Sequence, residues 1–372
     1  MNRDARKATT IRDLAAALDL SPAAVSLALR GKSGVSSATR ARVLEASEKM
    51  GYQLKMGYQL ASTPSRRSRD PMTVTLVIRA LPDQPTTNVF YGPILSGIEE
   101  RCRGLDIRLV FAIMPVDERN HPLEVPRSVT DHPTDGLILV GADIGTRWMS
   151  LLRVGAVPTV LVDGYSDDEA LDSVDIDNAS GARTAVRYLM SRGHREIAIV
   201  GTAPNAFPSV RERRVAYQQA MSEALLTPHY VDIPYYDHER AAEAAVQYVL
   251  AHPEVTAIFC ANDLTAITFL QAARVAGISV PDQVSVVGFD DIDLASIILP
   301  GLTTMGVDKP GMGRLAVTLL LHQLEFGKIV GSTTLVKPTL VERATVRTIE
   351  RKAPEVGTVP VSEPAHGGVV LA

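Results

Sequence analysis

The chain has 372 residues, 46% hydrophobic and 22% charged, which is a globular composition and room for two or three domains. Its formal net charge of −4 hides a division: residues 1–71 carry 13 Lys/Arg against 6 Asp/Glu, and the remainder carries 25 against 36. That asymmetry points to a basic nucleic-acid module on an acidic body, or to no more than a solvated basic tail. Two distant cysteines, Cys102 and Cys260, exclude a disulfide scaffold and a cysteine-cluster metal site. The polar start at 1–10 has no signal-peptide character, and no apolar run approaches the ~20 residues of a membrane span. A cytoplasmic protein without a membrane partner is therefore expected.

Residues 10–51 predict three short helices. Thr10-Ile11-Arg12-Asp13 is a capping-box-like start, and Ile11, Leu14, Ala15 and Leu18 follow at helical spacing. Ser21 suits an N-cap and Pro22 the first helical position, so a second helix runs over Pro22–Leu29. A third starts at Ser36 or Ser37 and runs to Met50, where Gly51 stops it. Two short helices joined by a tight turn, with a third to complete the core, predict a helix-turn-helix. Its second helix would turn Pro22, Ala23, Ser26 and Leu27 toward base edges, with Arg30, Lys32, Ser33 and Arg40 near phosphates. The apolar character of those outward positions leaves a protein-docking module open.

The stretch from Thr10 to Gly31, then Val35-Ser36-Ser37-Ala38-Thr39-Arg40-Ala41-Arg42-Val43 and Gly51-Tyr52, resembles the headpiece of the lactose-repressor (LacI/GalR) family. The resemblance places Pro22, Ala23 and Leu27 at the principal base-reading positions. It places Ser21, Ser26 and Thr39 on the DNA backbone; Thr10, Arg30 and Lys32 are further candidate DNA contacts. Leu27 stands where many members carry an arginine, which argues against a strong guanine contact there.

A tandem repeat follows, Met50-Gly51-Tyr52-Gln53-Leu54-Lys55 and Met56-Gly57-Tyr58-Gln59-Leu60-Ala61. Family members usually continue one Gly-Tyr with Pro-Asn and a short hinge helix, whose leucine wedges into the minor groove. Here Leu60 is the candidate wedge, and Pro64 disfavours regular helix around Thr63. Six extra helical residues would lengthen this linker by about 9 Å; a longer, looser linker is the plain alternative.

From Met72 onward short apolar runs alternate with helical patterns. Strands are predicted at Val74–Ile78, Arg108–Ala112, Gly136–Val140, Pro158–Val162, Glu196–Val200, Val231–Tyr235, Ala257–Cys260 and Val284–Gly288. Helices are predicted at Pro93–Arg103, Ala179–Arg192, Arg211–Leu225, Arg240–His252, Leu264–Ala276 and Gly311–Glu325. Such alternation predicts parallel sheets with helices on both faces, in two lobes with a cleft at the strand ends. Motifs such as Asn88-Val89-Phe90-Tyr91, Arg213-Arg214-Val215-Ala216-Tyr217, Ala261-Asn262-Asp263 and Gly288-Phe289-Asp290-Asp291 extend the family resemblance over residues 10–348.

The reading is an all-α helix-turn-helix headpiece at 1–61, a linker at 62–72, and an α/β body at 73–349 of two doubly wound parallel-sheet lobes, periplasmic-binding-protein-like. The Pro-, Gly- and Val-rich tail at 350–372 is expected to be disordered.

In the cleft, Arg213 offers a fork of donors for a diol or carboxylate, against a surface salt bridge as the plain reading. Asp290 ends a buried strand, where a carboxylate accepts hydroxyls or merely caps a loop. Asn262 and Asp163 also stand at strand ends, and Asp263 is expected to cap the helix beginning at Leu264. Phe90, Tyr91 and Tyr236 supply aromatic faces for a sugar or a ring, or plain core. His194 is expected to be structural.

Enzyme signatures fail. Gly31-Lys32-Ser33 lacks the first P-loop glycine, because Ser26 stands there, and Gly311-Met312-Gly313 lacks the acidic residue that completes a dinucleotide fingerprint. No catalytic residues, metal or cofactor are expected. The reading is a ligand-responsive transcription regulator, a repressor that binds operator DNA as a homodimer at the nucleoid and takes a small sugar-like effector. The alternative is a cytosolic small-molecule receptor without specific DNA readout.

Overall fold

The computed structural model describes residues 11–29, 36, 39, 42, 43, 46, 71–80, 89–117, 121, 123, 124, 126, 127, 134–141, 143–145, 157–166, 171–233, 237–327 and 331–350. The chain divides into two compact units, Met1–Asp70 and Pro71–Ala372. The tandem repeat with Leu60, the linker to Asp70 and the tail after Glu350 lie outside the described residues.

In the first unit, α1 (Ile11–Leu18) and α2 (Pro22–Leu29) have the bounds that the caps and apolar spacing predict. The Ser21 hydroxyl accepts the Ala24 N–H at 3.1 Å, as an N-cap does. Ser36 accepts the Thr39 N–H at 3.1 Å in the same way, and Thr39, Arg42, Val43 and Ala46 are helical. Leu14, Ala15, Val25, Ala28 and Val43 form a small buried core.

The second unit holds two six-stranded sheets. The N-terminal lobe has the order β13-β7-β5-β3-β1-β2, from β1 (Thr73–Ala80), β2 (Arg108–Pro115), β3 (Gly136–Val140), β5 (Thr159–Val162), β7 (Asp172–Ile176) and β13 (Thr333–Val336). Every pairing in it is parallel. The C-terminal lobe has the order β14-β12-β11-β10-β8-β9, from β8 (Ile197–Val200), β9 (His229–Val231), β10 (Ala257–Cys260), β11 (Ser285–Asp290), β12 (Thr303–Gly306) and β14 (Thr339–Val341). Only its β12–β14 pairing is antiparallel. A two-stranded ribbon, β4 (Asp143–Ile144) with β6 (Tyr165–Ser166), flanks the first lobe.

Helix α3 (Tyr91–Arg103) packs on α9 (Lys309–Phe326) over the first sheet. The approach is close because Gly97 and Gly313 face it: a Cβ on either would run into the backbone of the other helix. Helices α4 (Asn178–Ser191), α5 (Pro208–Glu223), α6 (His238–Ala251), α7 (Asp263–Val275) and α8 (Asp293–Ile297) belong to the second lobe. Among the described residues the chain passes between lobes at Ile176–Asn178, Gly306–Lys309 and Val336–Thr339.

The structure corrects several sequence expectations. The strand expected at Val231–Tyr235 is His229–Val231. Strands β7, β12, β13 and β14 were not predicted, because Asp172, Ser173 and Asp175 or runs of threonine mask their short apolar content. His194 is structural, as expected: it is buried, and its ring bonds Thr256 Oγ1 at 2.9 Å and the Arg347 carbonyl at 3.2 Å.

Candidate ligand cleft and DNA face

Parallel strands deliver their carboxyl ends to one rim of each sheet, and the candidate ligand residues stand there. Asp163 follows β5 directly, with φ 46°, and Asp290 ends β11 with φ 113°. Its neighbour Asp291 has φ 50°. Three non-glycine residues in the left-handed region at one locality hold backbone strain of the kind that concentrates at functional sites.

Arg213, on α5, is 4% exposed and joins these parts. Its Nε donates to Asn178 Oδ1 at 2.9 Å, and Nη1 donates to the Ala261 carbonyl at 2.6 Å. Its Nη2 lies 3.5 Å from Asp290 Oδ1, and the guanidinium stacks 3.7 Å from the centre of the Phe289 ring. A guanidinium has five N–H groups, so this arrangement leaves terminal donors for a ligand.

Asp290 is 8% exposed, and its Oδ1 is buried without a hydrogen-bond partner. Burial pushes its pKa up to about 6, against the opposing charges of Arg213 and Lys309. Lys309, at the start of α9, is buried and donates from Nζ to the carbonyls of Asp290 and, at 3.0 Å, Asp291. A helix that packs on the first lobe is thereby tied to the strand end of the second. The same ammonium lies 6.0 Å from the centre of the Phe90 ring.

On the first-lobe side the Tyr91 hydroxyl donates to Asp163 Oδ2 at 2.9 Å. Burial raises the pKa of Asp163 although the Tyr91 bond and the charges of Arg213 and Arg79 oppose it. Glu212, beside Arg213, accepts from Asn178 Nδ2 at 3.0 Å. The cleft is thus a network of carboxylates and guanidinium with unfilled hydrogen-bonding capacity, suited to a ligand carrying several hydroxyls.

In the first unit Pro22 and Ala23 are exposed on α2, at the N-terminal end of the helix expected to read bases. Leu27 is half-buried, and Thr39 is half-buried with its hydroxyl 2.8 Å from that of Ser36. The exposed Ser21 spends one acceptor position on its cap. The side chain of Ser26, and all of Thr10, Arg30, Lys32 and Tyr236, lie outside the described residues.

Two family models match this chain, "Bacterial regulatory proteins, lacI family" over residues 10–54 and "Periplasmic binding protein-like domain" over residues 186–346. The ribose operon repressor of Haemophilus influenzae is 27% identical over 92% of this chain and 99% of its own length. The transcriptional repressor CytR of Escherichia coli is 29% identical over 92% and 97%. The chain thus carries a lacI-family helix-turn-helix domain and a periplasmic-binding-protein-like domain, and the curated relatives it matches are lacI-family repressors. Among solved structures, a transcriptional regulator CelR–cellobiose complex matches with TM-score 0.65 and 24% identity, over 91% of this chain and 99% of that one. A lac repressor dimer bound to operator matches with TM-score 0.63 and 21% identity, over 92% and 100%.

The two lobes bring Arg213, Asp290 and Asp163 into mutual electrostatic range. Two expectations change. Asn262, not Asp263, caps α7: its Oδ1 accepts the Thr265 N–H at 2.9 Å, which leaves Nδ2 as the group it can offer a ligand. Asp263 is wholly buried as the first helical residue, accepting from the Ile292 N–H at 2.9 Å and the Thr304 hydroxyl at 2.5 Å. Tyr91 is 5% exposed with its hydroxyl committed, so it orients Asp163 and offers little ring face for stacking. Phe90 is half-buried and keeps that option. Sequence reasoning missed Lys309 and Asn178, whose roles come from bonds to residues 18, 19 or 35 positions away.

Proposed function

We propose that this chain is a transcriptional repressor that grips operator DNA through α2 as a homodimer, and whose grip a small polyhydroxylated ligand sets by binding between the lobes. The observation that carries the ligand half is the buried Arg213–Asp290 pair, in which Asp290 Oδ1 lies 3.5 Å from Arg213 Nη2 and accepts no hydrogen bond. A buried acceptor without a donor is costly, and a ligand hydroxyl supplies the donor. Arg213 binds the ligand, Asp290 and Asp163 accept its hydroxyls, and Phe90 flanks a sugar face. Asn262 donates from Nδ2, and Tyr236 belongs to the same wall by family resemblance.

On the DNA side Pro22, Ala23 and Leu27 contact bases, while Ser21, Ser26, Thr39, Thr10, Arg30 and Lys32 meet the sugar-phosphate backbone. Leu60 acts as the minor-groove wedge. A ligand shifts the balance only through unequal affinity for two arrangements of the lobes, so induction and co-repression share this machinery. The relatives' ribose and cellobiose are the first effectors to try.

Selection of bound duplexes from a random DNA pool tests the reading. A palindrome with defined half-site spacing is expected, with its occupancy changed by ribose or cellobiose. The exposed apolar pair Pro22 and Ala23 favours a second reading, a ligand receptor without specific DNA readout. An unenriched pool, with little salt-dependent DNA affinity, would establish that one instead.

A further inference from the structure

Strands β7 and β13 end side by side, with Ile176 opposite Val336, and from there both run on into the second lobe. The Asp177 N–H donates to the Val336 carbonyl at 3.0 Å, so the two crossings are tied where they start. Asn178 opens α4 immediately afterwards and is 1% exposed. Its Nδ2 donates to the Ile176 carbonyl at 3.2 Å and to Glu212 Oε2 at 3.0 Å. Its Oδ1 accepts from Arg213 Nε at 2.9 Å. A guanidinium only donates, whereas a carbonyl or an ionised carboxylate only accepts, so these partners allow the amide one orientation.

This amide differs from the other groups that hold Arg213. The Ala261 carbonyl, the Phe289 ring and Asp290 all belong to the second lobe. Asn178 also grips Ile176, the last residue of a first-lobe strand. A second contact runs the same way. Gly181, on the next turn of α4, is pressed between the Phe289 ring on which Arg213 stacks and Pro338 of the other crossing. A Cβ there would meet them at 2.7 and 2.9 Å. The start of α4 is thus wedged between the Arg213–Phe289 stack and both crossings. Buried hydrogen bonds weaken steeply when bent or stretched, so a guanidinium drawn toward a ligand takes the amide with it and loads its bond to Ile176.

We propose that Asn178 is a positioning residue with two duties: it aims Arg213 into the cleft, and it carries the position of Arg213 to the crossings between the lobes. Its Oδ1 performs the first duty and its Nδ2 the second. Glu212 holds the amide so that neither bond turns without the other. What Arg213 binds rests on the ligand reading above; the tie between Arg213 and the crossings does not.

The test reads the lobes without any ligand. Spin labels at Glu325→Cys on α9 and Gln247→Cys on α6, both exposed positions, report the distance between lobes by pulsed electron paramagnetic resonance of the full chain. Dilution with unlabelled chain restricts the signal to distances within one chain, and the native cysteines Cys102 and Cys260 are buried. Asn178→Asp keeps the acceptor for Arg213 and removes both donors, so the distance distribution should broaden about twofold as a second arrangement becomes populated. Adding Glu212→Gln returns a donor to the pair from the other side at unchanged net charge, and should narrow the distribution again. Glu212→Ala, at an exposed position, frees the amide without touching the core and should also broaden it. Phe269→Leu loosens the second-lobe core and should lower melting with the width unchanged. Wild-type width in Asn178→Asp or in Glu212→Ala, no narrowing in the double variant, or broadening in Phe269→Leu overturns the proposal. Titration with ribose and with cellobiose then separates the tie from the ligand reading. Where a sugar changes the DNA affinity of the wild type, Asn178→Asp should shrink that change by about fivefold or more, and an undiminished change overturns the proposal. Failure of both sugars on the wild type counts against the sugar reading, and the distance widths still decide the tie.

Discussion

The headpiece and the body use their residues in opposite ways. The headpiece hides a handful of small apolar side chains and leaves Pro22 and Ala23 in the open, so its proposed recognition surface carries no folding duty. The body buries its proposed recognition groups: Arg213, Asp290, Asp163 and Lys309 are all below a tenth exposed and bonded to the backbone, to one another or to Tyr91. A surface that must meet the grooves of a long polyanion works by exposure, whereas a small ligand is recognised by desolvated partners held in advance. Function and stability should therefore separate in the headpiece and remain entangled in the cleft.

Arg213→Ala gives the largest effect. Removing one partner of a buried ion pair leaves the other uncompensated, so the body should lose about 3–5 kcal/mol in denaturant unfolding. The ligand response should vanish with it, while the folded fraction still binds operator. A loss under about 1 kcal/mol would mean that water reaches Asp290 and that the cleft is not desolvated.

Lys309→Met keeps the stem and removes the ammonium from two buried carbonyls. About 2 kcal/mol of destabilisation is expected. The pKa of Asp290 should rise further, because the Lys309 charge now holds it down. Carboxyl titration followed by nuclear magnetic resonance reads this directly, and a downward move would contradict the tie between the lobes.

The two caps make a matched pair. Ser21→Ala and Asn262→Ala each remove a side-chain acceptor from a helix start, at about 1 kcal/mol apiece. Ser21→Ala should weaken operator binding and leave the body's melting untouched. Asn262→Ala should lower the body's melting and the ligand affinity together. Equal effects of both on operator binding would dissolve the contrast between the regions.

The last effect is on pH dependence. The folded-state pKa of Asp175 is raised, to about 7, so its protonated form favours the folded body. That contribution is complete below the ordinary carboxyl pKa near 4 and is lost as pH rises through about 7. Melting of Asp175→Asn should therefore fall less between pH 4 and 7 than melting of the wild type, and parallel curves would show a solvated carboxylate.

Local signals made the headpiece readable. Ser21, Pro22 and the spacing of Leu14, Ala15 and Leu18 act within one turn of the chain, and the two helices have the expected bounds. The apolar strands β3, β5, β8 and β10 were readable for the same reason. The polar strand β7 was not, because its register is imposed by β5 and β13 on either side. At the candidate site, family resemblance singled out Arg213, Asp290 and Asp163 as ligand candidates but not the bonds they make.

The sequence by itself determined the basic module, its helix-turn-helix, the alternating body and the resemblance to the lactose-repressor family, since periodicity, caps and motif order are written along the chain. Only the tertiary structure decided that Asn262 takes the cap and Asp263 the buried bonds, that Tyr91 serves Asp163, and that Lys309 joins the lobes. Those choices depend on which partners packing brings within 3 Å of a given polar atom, and on how far burial strips each one of water.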